Sequence, residues 1–206
     1  PKRGALGRGP FAVAATGPAM LVGRLSYILG MQGPSIAFDT ACSASLSAFQ
    51  AAMYAQNHQD SEAALVLGVN VMCDSGTSQL FVAANMTSPT GKSHTFDARA
   101  DGYARGEAID AVACRLGTGD EAVASFASMI GSAIRQDGRS ASLTAPNGQA
   151  QQGVLGASLA DARSEADEAA VLEAHGTGTA LGDPSETGAV AAAFLAHRGG
   201  SDESLR

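Results

Sequence analysis

The sequence predicts a layered α/β fold, and two observations support this prediction. Gly and Ala are abundant, whereas Trp is absent and aromatic residues make up 5% of the chain, a composition that favours close packing of helices on a sheet. Residues 34–39, 43–56 and 63–71 follow one another as an apolar run, a helical pattern and a second apolar run, which gives the order strand, helix, strand. That order implies a right-handed parallel crossover and a sheet covered by helices.

The first half of the chain predicts three helices and one more strand. Residues 17–27 mix apolar and small side chains and predict a short helix. Residues 43–56 predict a helix that buries one face, which carries Leu46, Phe49, Ala52 and Met53. The run 63–71 is continuously apolar, as is typical of a strand buried on both faces. The irregular segment 74–106 contains a short helix at 77–84, and its length indicates a functional loop.

The second half of the chain predicts a hairpin followed by alternating helices and a strand. Residues 107–116 and 122–134 predict two strands joined by a Gly-rich turn, which favours an antiparallel hairpin. The segment 149–162 follows turn residues and predicts a helix. Residues 169–173 predict the last strand. A final helix is expected from Pro184 to about His197, because Pro is favoured in the first turn of a helix.

Charge and hydropathy exclude several classes of function. The net charge is −7 and no cluster of Lys and Arg stands out, so nucleic acid is not an expected partner. No apolar run reaches the roughly 18 residues that a membrane-spanning helix needs, so we expect no membrane insertion. The composition is that of a globular protein, and 206 residues could bury one good core, with one domain or two small ones expected.

The three cysteines, Cys42, Cys73 and Cys114, form no CxxC pair and no metal-ligand spacing with the four histidines. We therefore expect neither a zinc site nor a disulfide framework, and we expect a reducing compartment. The cytoplasm fits, or a plastid if the source is an alga, since no secretory leader pattern is present. The chain begins with Pro1 rather than Met, which favours a fragment.

The most informative segment is 39–45, Asp-Thr-Ala-Cys-Ser-Ala-Ser, which lies between the first predicted strand and the helix at 43–56. It places Cys42 at a strand-to-helix turn. The positive end of a helix favours thiolate over thiol, and small neighbours leave the sulfur approachable, so Cys42 is a candidate nucleophile. The alternative is a buried free thiol, which is common for cysteine. For Cys73 and Cys114 the sequence favours a place in the core.

The segment 173–179, Glu-Ala-His-Gly-Thr-Gly-Thr, supplies an imidazole in a turn rich in Gly and Thr. Glycines let the backbone approach a ligand, and hydroxyls both donate and accept hydrogen bonds, so His175 is a candidate functional residue. His58 and His197 are expected to be solvated. His94 is expected to be exposed in the long loop, with lining of the site as the alternative.

Charged residues near these motifs have structural interpretations. We expect an ion-pair lattice that fixes the long loop, formed by Asp97, Arg99, Asp101 and Arg105. Asp183 is predicted to be the N-cap of the last helix. Glu186 is predicted to face the His175 loop as an additional charge.

These residues resemble one family, the β-ketoacyl synthase (condensing enzyme) domains of polyketide synthases and related fatty-acid synthases. The resemblance runs from about Thr16 to Phe194. The segments that match in order are 23–27 with 33–34, the cysteine motif 39–45, the loop 96–102 with 106–107, the turns 136–138 and 144–148, and the histidine motif 173–179 with 182–184 and Glu186.

The resemblance implies a thiolase-like layered α/β fold and a decarboxylative Claisen condensation. Cys42 would take an acyl group from a carrier-protein or coenzyme A thioester. His175, as a neutral hydrogen-bond donor, would stabilise the enolate formed when a malonyl extender loses CO2. Thr177 and Thr179 would bind the phosphopantetheine arm, and Glu186 would have a supporting role. No bound cofactor or metal is implied; the implied partners are an acyl carrier protein and a second copy of the chain.

The chain also departs from the family pattern. It lacks a lysine and a Gly-His motif that follow the first histidine in the family, and a Gly-Phe-Gly-Gly-like loop. The resemblance therefore implies that residues 1–206 are the central part of a single ketosynthase domain, truncated at both ends and inactive alone. Two other functions stay open: an acyltransferase of thiolase fold that uses coenzyme A thioesters, and an inactive ketosynthase-like scaffold for dimerisation or carrier docking.

Overall fold

The computed structural model describes residues 17–117 and 125–195 of the chain. The elements there are helices α1 (Pro18–Leu29), α2 (Ala44–Asn57), α3 (Ser75–Ala83), α4 (Gly148–Ala162) and α5 (Gly182–Val190), and strands β1 (Ala63–Asn70) and β2 (Ala108–Arg115). Short 3-10 turns occupy Ala41–Ser43 and Ala166–Glu168, and a π-helical turn occupies Ala191–Leu195. The predictions of α1, α2, β1, α3, β2 and α4 are confirmed, with boundaries that differ by two residues at most.

The chain divides into two compact units. Of the described residues, the first contains 17–68 and 109–117, and the second contains 69–108 and 125–195. The chain therefore passes from one unit to the other near the end of β1 and returns at the start of β2. These two strands are hydrogen-bonded neighbours in a two-stranded sheet.

In the first unit, α2 is joined to the strands through polar and small side chains. The side-chain amide of Gln56 donates to the carbonyl oxygen of Cys114 in β2 at 2.8 Å, and Gly68 in β1 lies against the Ser45 side chain. The buried residues of α2 are Ser47, Gln50 and Gln56. The predicted apolar face is wrong at Leu46, whose exposed fraction is 71%, because this close approach uses small side chains instead.

Apolar exposure is pronounced in α1. The helix begins with Pro18 in its first turn and ends at Gly30, which adopts the left-handed conformation that stops a helix. Within this described helix no residue is buried, and Tyr27 and Ile28 are 89% and 75% exposed. The strand β1 is also less buried than its apolar run predicts, since Val66 is the one residue of that strand that is buried.

Two predicted strands are not formed. Residues 34–39 and 169–173 are irregular in the structure, so the predicted parallel crossover into β1 is wrong as well. The hairpin prediction also fails where it can be compared: residues 125–134 contain no strand, and 122–124 lie outside the described residues. A strand needs a second strand that pairs with its backbone, and within the described ranges that pairing is found for β1 and β2.

In the second unit, α4 and α5 pack together with the π-helical turn that follows α5. Ala189 of α5 and Ala193 of the π-helical turn are buried, as is Ala166 of the 3-10 turn that contacts the π-helical turn, and such small side chains permit close approach. Asn147 caps α4, because its side-chain oxygen accepts hydrogen bonds from the N–H groups of Gln149 and Ala150.

Helix α5 begins at Gly182, two residues before the predicted Pro184. Asp183 is not its N-cap: Leu181 occupies that position, without a side-chain capping bond. The Asp183 carboxylate instead accepts hydrogen bonds from the backbone N–H groups of Gly178 and Phe96. Position 197, the predicted end of this helix, lies outside the described residues.

The long loop between α3 and β2 is held by both backbone and side-chain contacts. Thr87 and Tyr103 form a parallel bridge, and the Ser93 hydroxyl accepts from the N–H of Ala104 at 2.9 Å. The predicted lattice of four charges is wrong. Asp97 pairs with Arg99 at 2.8 Å, but Arg105 donates to the Ser78 hydroxyl and lies 4.9 Å above the ring of Phe81.

The contribution of the Asn147 cap to the stability of the protein can be tested by substitution. We expect Asn147→Ala to lower the free energy of unfolding by about 1–2 kcal/mol, because two N–H groups of α4 lose their acceptor. Asn147→Ser keeps a capping oxygen and should lose clearly less. Urea denaturation of the three proteins measures the difference, and equal stability of the Ala and Ser variants would contradict the assignment.

Candidate functional site

Cys42 lies in the 3-10 turn directly before α2, and it is exposed. The predicted position at the start of a helix is confirmed, whereas the strand before it is not formed. Ala41 has a φ of 54°, a left-handed conformation that costs energy in a residue with a Cβ. The Ser43 hydroxyl donates to the carbonyl oxygen of Thr40 at 3.0 Å, so side-chain hydrogen bonds hold the turn while the thiol faces outward.

The alternative interpretation of Cys42 as a buried thiol is wrong, because the residue is exposed. The core assignment is also wrong for Cys73, which is exposed. Cys114 is half-buried in β2, and burial raises the pKa of its thiol. A raised pKa disfavours the nucleophilic thiolate, which argues against Cys114 as a nucleophile.

The His175 loop is held by the carboxylate of Glu186 in α5. One oxygen of Glu186 accepts from the backbone N–H of His175 at 2.5 Å, and the other accepts from the N–H of Gly176 at 2.9 Å. The sequence prediction that Glu186 faces this loop is therefore confirmed. The bidentate contact fixes the backbone on which the exposed His175 side chain is carried.

Thr177 and Thr179 follow on the same loop and lie side by side. Their hydroxyl oxygens are 3.2 Å apart, and the Thr179 oxygen also accepts from the N–H of Gly182 at 3.0 Å. Both residues are half-buried. The pair therefore presents two coupled hydroxyl groups beside His175, and Thr179 ties the loop to the start of α5.

Asp183 joins the His175 loop to the long loop of residues 94–102. Its two carboxylate oxygens accept from the N–H groups of Gly178 at 2.9 Å and Phe96 at 2.6 Å. The residue is 5% exposed. Such a buried carboxylate is stable only when its oxygens are paired, and here both are used to connect two loops.

Two further hydrogen bonds connect the same loops. The Thr95 hydroxyl donates to the carbonyl oxygen of Gly176 at 2.6 Å, and the N–H of Gly102 donates to the carbonyl oxygen of Gly178 at 2.9 Å. The backbone of His94 also packs against Gly178. His94 is half-buried beside the His175 loop, so of its two interpretations the structure favours a place at the site.

The structure thus brings His175, Thr177, Thr179 and Glu186 together in the second unit, whereas Cys42 belongs to the first. Sequence reasoning missed the contribution of Asp183 and Thr95. The alternating glycines of the motif were the available signal: Gly176 and Gly178 have φ values of 56° and 68°. A segment in such conformations cannot pair within a helix or strand, and so it needs acceptors from elsewhere.

The exposed turn at 97–99 carries the strongest electrostatic perturbation among the described residues. Hydrogen bonds from the Arg99 guanidinium and then from the Arg99 backbone N–H hold the pKa of Asp97 well below its usual range. The same contact raises the pKa of Arg99. Both groups therefore stay ionised over the physiological range and close the turn at the edge of the long loop.

A cavity of about 560 Å³ lies in the second unit between the start of α4, residues 139–141 and α5. The predicted site residues of that unit, His175, Thr177, Thr179 and Glu186, do not line it. Within residues 17–117 and 125–195, no group of three His, Cys, Asp or Glu is arranged to hold a metal ion. In the same ranges no helix has the length and apolar character to cross a bilayer.

Comparison with known families identifies the chain. The family model described as the N-terminal domain of β-ketoacyl synthase matches residues 2–114, and the model of the C-terminal domain matches residues 126–205. The chain belongs to the β-ketoacyl synthase family. The sequence-based resemblance is thereby confirmed.

Curated relatives include a phenolphthiocerol/phthiocerol polyketide synthase protein of Mycobacterium tuberculosis, which is 44% identical over 186 residues covering 88% of this chain. The highly reducing polyketide synthase alnA of Emericella nidulans is 41% identical over 192 residues covering 91% of this chain. The chain spans 8% of the length of each.

Solved structures confirm the fold class. The ketosynthase from module 6 of the bacillaene synthase of Bacillus subtilis matches with a TM-score of 0.81 and 31% identity over 88% of this chain. An oxazolomycin ketosynthase domain from Streptomyces albus matches with a TM-score of 0.79 and 32% identity over 90%. The chain covers 33% of each of those chains. The fold is the thiolase-like α/β fold of ketosynthase domains.

The packing of the His175 loop against the loop of residues 94–102 predicts that replacing Gly178 lowers the stability of the protein. A Cβ at this position would lie 3.0 Å from the backbone nitrogen of His94, and the φ of 68° is unfavourable for any other residue. We expect Gly178→Ala to lower the free energy of unfolding by about 1–2 kcal/mol or more. The matched control is Gly156→Ala in α4, where a Cβ meets open space, and it should raise stability by about 0.5–1 kcal/mol. Thermal and urea unfolding measure both, and a neutral Gly178→Ala would contradict the packing.

Proposed function

We propose that the protein containing this chain is a β-ketoacyl synthase that catalyses the decarboxylative Claisen condensation of an acyl group with a malonyl thioester. The observation that carries the proposal is the exposed Cys42 thiol at the start of α2, in a chain that matches both domains of this family. The names of the relatives favour polyketide synthesis as the setting. Fatty-acid synthesis is the related alternative.

Cys42 is the proposed nucleophile of the first half-reaction. Its thiolate attacks the carbonyl carbon of an acyl thioester and forms a new carbon–sulfur bond. The tetrahedral intermediate collapses with loss of the carrier thiol, which takes up a proton, and leaves the acyl group on Cys42. The backbone N–H of Cys42 can donate to the oxyanion of that intermediate. The exposure of the thiol supports this role.

His175 is the proposed hydrogen-bond donor of the second half-reaction. When a malonyl thioester loses CO2, the electron pair of the broken carbon–carbon bond is delocalised onto the thioester oxygen as an enolate. A neutral imidazole donates a hydrogen bond to that oxygen. The enolate carbon then attacks the acyl carbonyl on Cys42, forming the new carbon–carbon bond and releasing the Cys42 thiolate.

The residues around His175 have supporting roles in the same proposal. The hydroxyls of Thr177 and Thr179, 3.2 Å apart, suit hydrogen bonding to the amides of a phosphopantetheine arm. Glu186 holds the backbone of His175 and Gly176 and so fixes the position of the backbone that carries the imidazole. The arm belongs to the proposed partner, an acyl carrier protein, and the condensation itself needs no bound cofactor. A homodimer is the proposed assembly.

Replacement of the nucleophile tests the first half-reaction. In the full-length protein we expect Cys42→Ala to abolish formation of the acyl-enzyme, because no other group replaces the thiolate. Incubation with a radiolabelled acyl thioester, followed by intact mass analysis, measures the acylation stoichiometry. Cys73→Ala, which removes another exposed thiol, is the matched control and should acylate normally.

An unchanged stoichiometry in Cys42→Ala would overturn the assignment of the nucleophile. Alkylation of Cys42 with iodoacetamide separates the enzyme from the scaffold alternative. A condensing enzyme loses its activity on alkylation, whereas a dimerisation or docking scaffold keeps its function.

Replacement of the histidine tests the second half-reaction. We expect His175→Ala to leave acylation of Cys42 intact and to slow malonyl decarboxylation and condensation by about 10²- to 10³-fold, the usual loss when one oxyanion donor is removed. Release of CO2 from a labelled malonyl-carrier substrate measures the effect. His58→Ala is the control, since His58 ends α2 and has no proposed role. Equal loss of both half-reactions would mean that His175 activates the thiol instead.

A further inference from the structure

We infer that Asp183 is a positioning residue for the condensation, because it fastens the His175 loop to the loop of residues 94–102. This inference rests on the proposed function for its kinetic consequence, and on the hydrogen bonds of the second unit for its structural part. The hydrogen bonds that its carboxylate accepts come from backbone N–H groups, those of Gly178 and Phe96. It acts through the backbone of the loop that carries His175.

The two acidic residues of α5 hold different backbone N–H groups. Glu186 pairs with the N–H groups of His175 and Gly176, and Asp183 pairs with those of Gly178 and Phe96. The two carboxylates are three residues apart, so they share one side of the helix. Glu186 therefore holds the His175 loop onto α5, while Asp183 alone of the two also reaches the second loop.

Neither helix capping nor an ion pair explains why Asp183 holds these two loops. A capping aspartate would bond to the N–H groups of its own helix, but α5 has no side-chain cap. Within residues 17–117 and 125–195, Asp183 also forms no ion pair. A buried carboxylate without a cation must be stabilised by N–H donors and by the positive end of a helix. Asp183 has both, and both of its donors come from the two loops.

The loop of residues 94–102 is strained and depends on its bond to Asp183. Phe96 has a φ of 54°, which a non-glycine residue keeps only when its surroundings enforce it. The Asp183 oxygen holds the N–H of Phe96 at 2.6 Å. Its neighbour Thr95 donates to the carbonyl oxygen of Gly176, next to His175. Loss of the Asp183 contact would therefore let the backbone of Phe96 relax. Thr95 and the His175 loop, which Thr95 holds through Gly176, would then shift as well.

Asp183→Asn in the full-length protein is the sharpest test. The asparagine keeps the size of the side chain, but it has one oxygen acceptor and would direct its NH2 group at a backbone N–H. We expect kcat for malonyl decarboxylation to fall about 10- to 100-fold, as for other residues that orient a catalytic group. KM for the malonyl-carrier substrate should change by no more than about twofold, and acylation of Cys42 should be unchanged.

Asp161→Asn is the matched control. Asp161 also lies on a helix of the second unit, and its carboxylate accepts from a distant backbone N–H, that of Ser132, at 2.9 Å. Among residues 17–117 and 125–195, no hydrogen bond joins Asp161 to the His175 loop. Its variant should decarboxylate at the normal rate. Equal rates for the two asparagine variants would overturn the inference.

A double variant separates positioning from general destabilisation. If Asp183 acts through His175, then His175→Ala combined with Asp183→Asn should be no slower than His175→Ala alone. A merely structural role predicts a further, additive loss, which would overturn the inference. Thr95→Val, which keeps the shape but removes the hydroxyl bound to Gly176, should slow the same step by a smaller factor. If Asp183→Asn does not fold, a slower decarboxylation in Thr95→Val tests the inference in its place.

Amide hydrogen exchange tests the structural part without reference to activity. We expect Asp183→Asn to speed exchange in both segments, 94–102 and 175–179, and Asp161→Asn to speed it in neither. Faster exchange near Asp183 alone would overturn the coupling. If the unsubstituted protein fails to condense, or His175→Ala decarboxylates normally, the proposed function fails, and the exchange result still decides whether Asp183 joins the loops.

Discussion

The second unit depends on how α5 satisfies the backbone of the loop that precedes it. Backbone N–H groups need acceptors whether or not they lie in regular structure. The His175 loop alternates glycines in the left-handed conformation with threonines, and so its N–H groups cannot pair in a helix or a sheet. Asp183 and Glu186 provide the acceptors from the first turns of α5, where the positive end of the helix favours negative charge.

Backbone strain lies beside both motifs that carry the proposed chemistry. Ala41 directly precedes Cys42, and Phe96 donates its N–H to Asp183, which also holds the His175 loop at Gly178; both Ala41 and Phe96 have a φ of 54°. Residues with a Cβ adopt this conformation at a cost, and strained positions of this kind cluster at functional sites. In each case side-chain hydrogen bonds maintain the turn, through Ser43 in the first unit and Asp183 in the second. The strain therefore depends on specific polar side chains.

Sequence reasoning predicted the elements whose residues carry local signals, and it failed for the elements and contacts that depend on residues far away in the chain. Helices α2 and α4 carry their own periodicity and boundaries, and both were predicted closely. The segments 34–39 and 169–173 have apolar runs that are typical of strands, but a strand exists only when another strand pairs with it. In the site, the Cys42 turn and the His175 loop were recognisable from their compact motifs. The partners of Asp183 and Thr95 were not, because Phe96 and Gly176 lie 87 and 81 positions away from them in the chain.

The way in which the two loops are joined also bears on how such proteins diverge. The fastening uses backbone N–H and carbonyl groups on one side and a few side chains, Thr95, Asp183 and Glu186, on the other. Backbone groups are the same in every residue. Substitutions at outward-facing positions of residues 94–102 can therefore change shape and charge around the site without loosening the attachment. A family built in this way can acquire new substrate preferences while its catalytic geometry is inherited unchanged.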